Sequence, residues 1–268
     1  MLDLPVQVTT TVLGRWLEQS QALAERLGRA TLPTRVIIDR SAIAPRAEAG
    51  AHVSIERDPE EYRGTGGLLR DLASNYEPDD LLLVANAAQI MLEPLDDLAC
   101  VLLAGDADVR LVAHEDGEPS GLMLVRCAVL KHLNPIGFVD FKEQFLPRLA
   151  GLGHRVGLVM RPSATGLSIR TLDGYIDALR RFHRKSKGLP EEHDAFAERW
   201  ESTFSIIEDG ARVDPSATLQ DAVVLRGASV QRRAAAVGSV LCDGAVLGPD
   251  GTLVGEVLST RRSGGGGA

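Results

Sequence analysis

Apolar residues recur at helical spacing near the start of the chain, where Val12, Leu13, Trp16, Leu17, Leu23 and Leu27 form one stripe and predict an amphipathic helix. Short β-branched runs follow. Residues 35–39 (RVIID) and 52–56 (HVSIE) read as strands, 67–75 as a helix, and 81–85 (LLLVA) as an unbroken apolar strand. Strands alternating with helical segments are the grammar of βαβ units. An apolar run without alternation predicts burial on both faces of a parallel or mixed sheet covered by helices. Farther along, 109–113, the acidic turn EDGEPSG and 121–127 predict a hairpin. A helix around 141–149, a strand near 155–160 and a helix over 172–185 with Thr171 as its N-cap complete this α/β portion.

Beyond residue 206 the period changes to six. Ile207, Val213, Leu219 and Leu225 lie six apart, and the residues four further on, Ala211, Ala217, Val223 and Ser229, are all small. One large aliphatic and one small residue per hexapeptide is the pattern of a left-handed β-helix, each hexapeptide making one side of a triangular coil. The phase is lost over 231–238 and resumes at Leu241, Leu247 and Leu253, with Ala245, Gly251 and Val257 four residues on. This predicts about two to three coils with a loop bulging from one of them. So short a coil cannot cover its own ends and is expected to pack on the preceding domain or on another subunit, hence an oligomer. The expected organisation is an α/β domain over 1–187, a linker over 188–205, the β-helix over 206–259 and a flexible glycine-rich tail over 260–268.

The 268-residue chain is 44% hydrophobic and 25% charged, which fits a folded globular protein and excludes a disordered or fibrous one. Its net charge of -8 supplies no general footprint for nucleic acid or anionic lipid. Cys100, Cys127 and Cys242 are odd in number, far apart and in no C-x-x-C pair. That argues against a disulfide framework and for a reducing, cytoplasmic compartment. The opening MLDLPVQVTTT lacks the basic and apolar regions of a signal peptide, and no run is long enough for a membrane span. No nucleic acid and no membrane are therefore expected as partners. His52, His114, His132, His154, His183 and His193 all precede the repeat, so the coil carries no general base for acyl transfer, and none of them shows metal-ligand spacing. The basic run 180–187 (RRFHRKSK) admits two readings: a receptor for phosphate, nucleotide or an acidic partner, or a solvated helix C-terminus whose cations suit the dipole.

Several segments carry a family resemblance. Residues 63–69 (RGTGGLL) resemble the G-T-A/G-G-A-L loop of the sugar-1-phosphate nucleotidyltransferases, or NDP-sugar pyrophosphorylases, the family of mannose-1-phosphate guanylyltransferase. Residues 81–88 (LLLVANAA) resemble that family's vlNGD strand end, and 121–124 (GLML) its aGiY sugar-side strand. Residues 145–149 (FLPRL) are similar to its d-x-l-p-x-L helix, 166–175 to its W-x-D-I-G-T-x-x-x-Y segment, and 4–6 with 13–18 to its lPVaGrPlleywLe stretch. The likeness covers nearly the whole chain. It implies a Rossmann-like α/β nucleotidyltransferase domain with a mixed sheet, followed by a short left-handed parallel β-helix. It also implies nucleotide binding at Gly64, Thr65, Gly66, Gly67 and Asn86, and a sugar-side position at Gly121. Glycines in such a loop let backbone approach a flat base, and the helix that follows favours an anion.

The resemblance fails where the family does its chemistry. The G-x-G-T-R-x-x-P-x-x-K loop, whose Arg and Lys stabilise charge developing at the α-phosphorus, is not found before Leu4. The two carboxylates that the resemblance implies for the metal fall on Ala88 and Ser168, and Arg170 replaces a glycine. Alanine offers no ligand, and a hydroxyl is a poor one for Mg²⁺. Asp106, Asp108 and Asp173 are candidates for relocated ligands. Each also reads more simply, Asp106 and Asp108 as turn residues and Asp173 as a first-turn helix acid. The expectation is a pseudoenzyme with no catalytic residue and no cofactor, Mg²⁺ entering only if an active alternative holds. It would bind a nucleotide or nucleotide sugar as a sensing, regulatory or scaffolding subunit, in a homo-oligomer or with an active homologue, as a silent homologue of mannose-1-phosphate guanylyltransferase does. The rivals are an active enzyme making an NDP-sugar from NTP and sugar 1-phosphate, and a purely structural assembly module.

Overall fold

A computed structural model describes residues 1–46, 50–58, 63–115, 117, 119–134, 137–189 and 204–260. The expected tail from 261 onward, His193 and most of the expected linker (190–203) lie outside the described residues. The α/β elements in chain order are β1 (Pro5–Gln7), β2 (Thr10–Thr11), α1 (Val12–Arg26), β3 (Thr34–Ile38), β4 (Val53–Arg57), α2 (Gly64–Ala73), β5 (Leu81–Ala85), β6 (Gln89–Met91) and α3 (Leu95–Ala104). Then come β7 (Val109–His114), β8 (Pro119–Arg126), α4 (Cys127–Leu130), a π-helical turn (Phe141–Phe145), α5 (Leu146–Gly151), β9 (Val156–Arg161), β10 (Gly166–Ser168) and α6 (Leu172–Ser186). Ten short strands follow: β11 (Ser205–Ile207), β12 (Arg212–Val213), β13 (Thr218–Gln220), β14 (Ala222–Val224), β15 (Ser229–Val230), β16 (Ala235–Val237), β17 (Val240–Leu241), β18 (Val246–Leu247), β19 (Thr252–Val254) and β20 (Val257–Leu258). The chain forms two compact units that interleave along the sequence, one of residues 1–15, 87–92 and 166–268, the other of 16–86 and 93–165. Among the described residues no helix is long and apolar enough to cross a membrane.

The unit of 16–86 and 93–165 is built on a mixed sheet in the order β5-β8-β7-β9. β8 is antiparallel to both β5 and β7, which is the predicted hairpin, and β9 joins β7 in parallel. Val109, Met123 and Val125 from this sheet meet Leu69 of α2 and Phe141, Phe145 and Leu149 in one apolar core. Full burial of the 81–85 strand is corrected: β5 is an edge strand, Leu81 is exposed and its other residues are half-buried. The helix predicted over 141–149 is also corrected. Asp140 accepts from the Lys142 and Glu143 N–H groups to start a π-helical turn, and the α-helical register begins only around Pro147, which has no N–H to give. α3 has no counterpart among the predicted elements. Its carboxyl end is closed by buried Arg110, which donates to the Leu102 and Ala107 carbonyls at 2.6 and 2.7 Å. A cation at helix carbonyls both fills orphan acceptors and suits the dipole.

In the other unit, β1 pairs with β2, and β6 pairs with β10 as a short antiparallel ladder. α6 has the predicted N-cap, since Thr171 Oγ1 accepts from the Gly174 N–H at 3.1 Å. Tyr175 donates its hydroxyl to the Pro5 carbonyl at 2.6 Å, and His183 Nε2 lies 2.9 Å from the Val6 carbonyl, so both tie α6 to β1.

The ten carboxyl-terminal strands make three parallel sheets, β11-β14-β17-β20, β12-β15-β18 and β13-β16-β19, compatible with a β-helix. Each of β11 to β17 pairs with a strand seventeen residues on: Ser205 with Ala222, Arg212 with Ser229, Thr218 with Ala235, Val223 with Val240. A coil of three hexapeptides would repeat at eighteen, so one side is a residue short. Inward-facing Val213, Leu219, Val224, Val230, Ala236, Leu241, Leu247 and Leu253 step by six, then five, then six and six again. The short corner bears left-handed backbone at Asp221, Gly238 and Gly255, seventeen apart. The predicted bulging loop over 231–238 is therefore corrected. Those residues are ordinary coil containing β16, and the phase slips at each short corner rather than once. The strands make three coils and one side of a fourth.

Asp221 is the exception at its corner, a non-glycine residue with φ of 46° and almost no exposure. Its Oδ2 accepts from Arg180 Nη2 and Nε of α6 at 3.0 and 3.1 Å, and its Oδ1 from the Phe204 N–H at 3.3 Å. His183 stacks on Phe204 with ring centroids 5.4 Å apart. Removing the carboxylate strands a half-buried guanidinium and a buried N–H, so Asp221→Ala is expected to cost about 2–3 kcal/mol, read as a lowered urea midpoint. Burial is the largest influence on His183 and pushes its pKa below the ordinary 6.5, against the Val6 carbonyl it donates to. The unfolded chain then binds a proton that the folded one resists. Stability present above about pH 6.5 should fall as the pH drops toward 5. His183→Gln should flatten that fall by the share His183 contributes, measured as urea midpoints across the range.

Candidate functional site

The implied nucleotide loop opens α2. Gly64 has φ of +67°, and Gly66 donates its N–H to the Val139 carbonyl at 3.0 Å while Val139 donates back to the Arg63 carbonyl at 3.1 Å. Thr65 Oγ1 accepts from the Phe141 N–H at 3.4 Å. A Cβ on Gly64 would stand 2.5 Å from the Val139 oxygen, one on Gly66 2.9 Å from it, and one on Gly67 2.8 Å from Arg63 Cβ. Each glycine thus meets protein at a distance no side chain tolerates. Arg63, nearly buried, bridges Asp58 and Asp71 and holds the loop to its helix. Asn86 and Gly121, from separate motifs, meet directly. The β5–β8 ladder continues past Ala85 and Leu122 so that the Asn86 N–H donates to the Gly121 carbonyl at 2.9 Å. Gly121 has φ of +75°, and the Asn86 side of this pair is exposed.

Ala88 and Ser168 fall on neighbouring rungs at one end of a ladder within the other unit. The β6–β10 ladder pairs Gln89 with Ser168, and beyond it Ile169 donates its N–H to the Ala88 carbonyl at 3.1 Å. Ser168 and Arg170 are exposed and flank buried Ile169. The first turn of α6 presses on the same place. A Cβ on Gly174 would lie 2.6 Å from the Ser168 carbonyl oxygen, so only glycine allows the approach. Asp173, exposed in that turn, is the relocation candidate nearest along the chain to this contact. Gln89, which carried no signal in the sequence, is buried beside Ser168 with its Nε2 unpartnered.

No family model and no curated protein matches this chain. Among solved structures, it is similar to HddC from Yersinia pseudotuberculosis at 15% identity and a TM-score of 0.42, over 62% of this chain and 85% of that one. For the same protein complexed with GMP-PN the values are 16%, 0.44, 62% and 85%. For the homologue of Mycobacterium tuberculosis rv0371c from Mycobacterium sp. strain JC1 they are 19%, 0.45, 68% and 87%. These likenesses are distant and partial. The functional reading rests on the residues of this chain.

The other candidates fall into structural roles. Asp106 pairs with Arg155, and Asp108 accepts from His154 and the Arg155 N–H. The basic run is divided among its neighbours: Arg180 serves Asp221, Arg181 pairs with Asp177 at 3.2 Å, and His183 packs on Phe204. Arg180 and His183 are thus engaged by protein groups, which corrects the expectation of a wholly solvated helix C-terminus. Among the described residues no three His, Cys, Asp or Glu side chains cluster as a metal cage. Because the glycines of the loop are demanded by Val139, Gly66→Ala is expected to destabilise the protein by about 1–3 kcal/mol in the absence of any ligand. An unchanged melting temperature would mean that the loop is free of the 138–141 segment.

Proposed function

We propose that this chain is a sugar-nucleotidyltransferase-like subunit that holds a nucleotide or nucleotide sugar without metal-assisted transfer. It acts as a regulatory or scaffolding partner, in a homo-oligomer or beside an active homologue, and its carboxyl-terminal coil, left-handed in this reading, serves assembly. The observation that carries the reading is that Ala88 and Ser168 both fall at one end of the β6–β10 ladder, where Gln89 stands opposite Ser168 and Ala88 opposite Ile169. The resemblance implies a Mg²⁺-binding carboxylate at each of these two positions, which lie on neighbouring rungs at that end of the ladder. The residues present do not fit that ion. Ala88 offers only a carbonyl already engaged by Ile169, and Ser168 offers a neutral hydroxyl, whereas Mg²⁺ wants carboxylate and phosphate oxygens.

Without the ion, binding depends on contacts to base and sugar. The exposed Asn86 side chain beside the Gly121 turn is suited to reading a hydrogen-bonding edge, and the β5–β8 ladder that holds both positions gives them fixed geometry. A protein of this kind reports ligand concentration through occupancy, since whatever binds the folded form alone stabilises it.

Thermal unfolding with a panel of nucleotides and NDP-sugars, with and without Mg²⁺, tests the reading. An NDP-sugar is expected to raise the melting temperature by the same amount in either case, and no shift with any of them would leave only a scaffold. Pyrophosphate release from NTP and sugar 1-phosphate should stay at background. Turnover of about 1 s⁻¹ or more, lost in Asp173→Asn, would establish an active enzyme with a relocated carboxylate.

A further inference from the structure

Apart from the glycine loop and the β6–β10 ladder, three side chains, Asp108, His132 and His154, line up near the turn after α4 and the entry to β9. His154 Nδ1 lies 3.1 Å from Asp108 Oδ2, and His154 Nε2 lies 3.2 Å from His132 Nε2. The ring centroids are 5.0 Å apart and the planes are tilted by 52°. Asp108 is itself fixed, accepting from the Arg155 N–H at 3.3 Å with Arg126 Nε at 3.5 Å. A carboxylate only accepts, so Nδ1 of His154 carries the proton and Nε2 of the neutral ring presents a lone pair. In one tautomer His132 donates to that lone pair. In the other, two lone pairs face a single gap.

The gap has the dimensions of a metal site. Two imidazole nitrogens on one tetrahedral Zn²⁺, each at about 2.0–2.1 Å, stand about 3.4 Å apart. We propose that His132 Nε2 and His154 Nε2 bind a divalent cation of the zinc class, with Asp108 as the carboxylate that orients His154 and water in the remaining positions. A histidine ligand whose second nitrogen donates to a carboxylate is the usual arrangement behind such metals. The side chains of His154 and Asp108 are 28% and 25% exposed, so ion and water can enter. Of the cations around the pair, Arg155 is bound to Asp106, Arg148 to Asn134 at 2.7 Å and Arg126 to Asp79 at 3.3 Å. Two protein ligands make a weaker site than three or four. Imidazole donors also select zinc, nickel or copper over magnesium, so this site is chemically distinct from the Ala88–Ser168 position.

The test uses the full-length protein stripped with EDTA and titrated with ZnCl₂ in a calorimeter, alongside His132→Ala. One equivalent of Zn²⁺ is expected to bind. His132→Ala, whose melting temperature in EDTA should equal that of the parent, is expected to weaken binding at least tenfold, and MgCl₂ should give no heat. Co²⁺ should produce the ligand-field bands of a nitrogen- and oxygen-ligated ion, lost in the same variant. Absence of Zn²⁺ binding, equal affinity in His132→Ala, or a cobalt–thiolate charge-transfer band from one of the cysteines would each overturn the proposal.

Discussion

The three-residue ladder between Gln89–Met91 and Gly166–Ser168 is the constraint on which the functional account depends. It joins two chain segments separated by residues 93–165, all of which belong to the other compact unit. Closing so long a loop costs entropy that three backbone pairs alone would hardly offset. The ladder persists because Ile90 and Ile169 are buried and because glycine at 166 and 174 allows close contact. At Gly166 a Cβ would stand 3.0 Å from Gln89 Oε1. Once the ladder forms, the chemistry at its end is determined by residue type alone: a methyl group at 88 and a hydroxyl at 168.

The carboxyl-terminal coil obeys a second constraint, the odd length of its turn. A seventeen-residue repeat needs one tight corner per coil, and that corner demands left-handed backbone, met by glycine twice and by aspartate once. The aspartate is where the coil meets α6. Its carboxylate takes Arg180 and the Phe204 amide together, while Tyr175 and His183 fasten the same helix to β1. The column of Ile206, Val223 and Val240 on the outward side of the first sheet is buried too, although outward positions of a free coil would meet water. Repeats of this kind need neighbours to bury their surfaces, and here part of that role is filled within the unit.

Local pattern made much of this legible. The strand at 81–85, the 109–126 hairpin, the Thr171 cap and α6 follow from alternation, turn chemistry and helical spacing. The apolar stripe is corrected at its end: Gly28 takes the left-handed conformation and the Arg29 N–H returns to the Ala24 carbonyl, so Leu27, placed in the stripe by its spacing, lies beyond the helix and is exposed. What stayed hidden depends on tertiary placement. α3 is too evenly apolar to show a face, and its cap is supplied from β7 by Arg110. The coil's true period was masked because Leu219 to Leu225 preserves a spacing of six that the backbone does not use. The meeting of Ala88 with Ile169, and of His132 with His154, is set by pairings across 81 and 22 residues of sequence, which no local window contains.

In the proposed function, the end of the β6–β10 ladder seats no divalent cation beside a triphosphate. Backbone NMR of the protein saturated with an NTP and titrated with Mn²⁺ reads this directly, since a bound paramagnetic ion broadens amides close to it. The Ser168, Ile169 and Gly174 signals are expected to keep their linewidths. Selective broadening of those three amides at substoichiometric Mn²⁺ would contradict it.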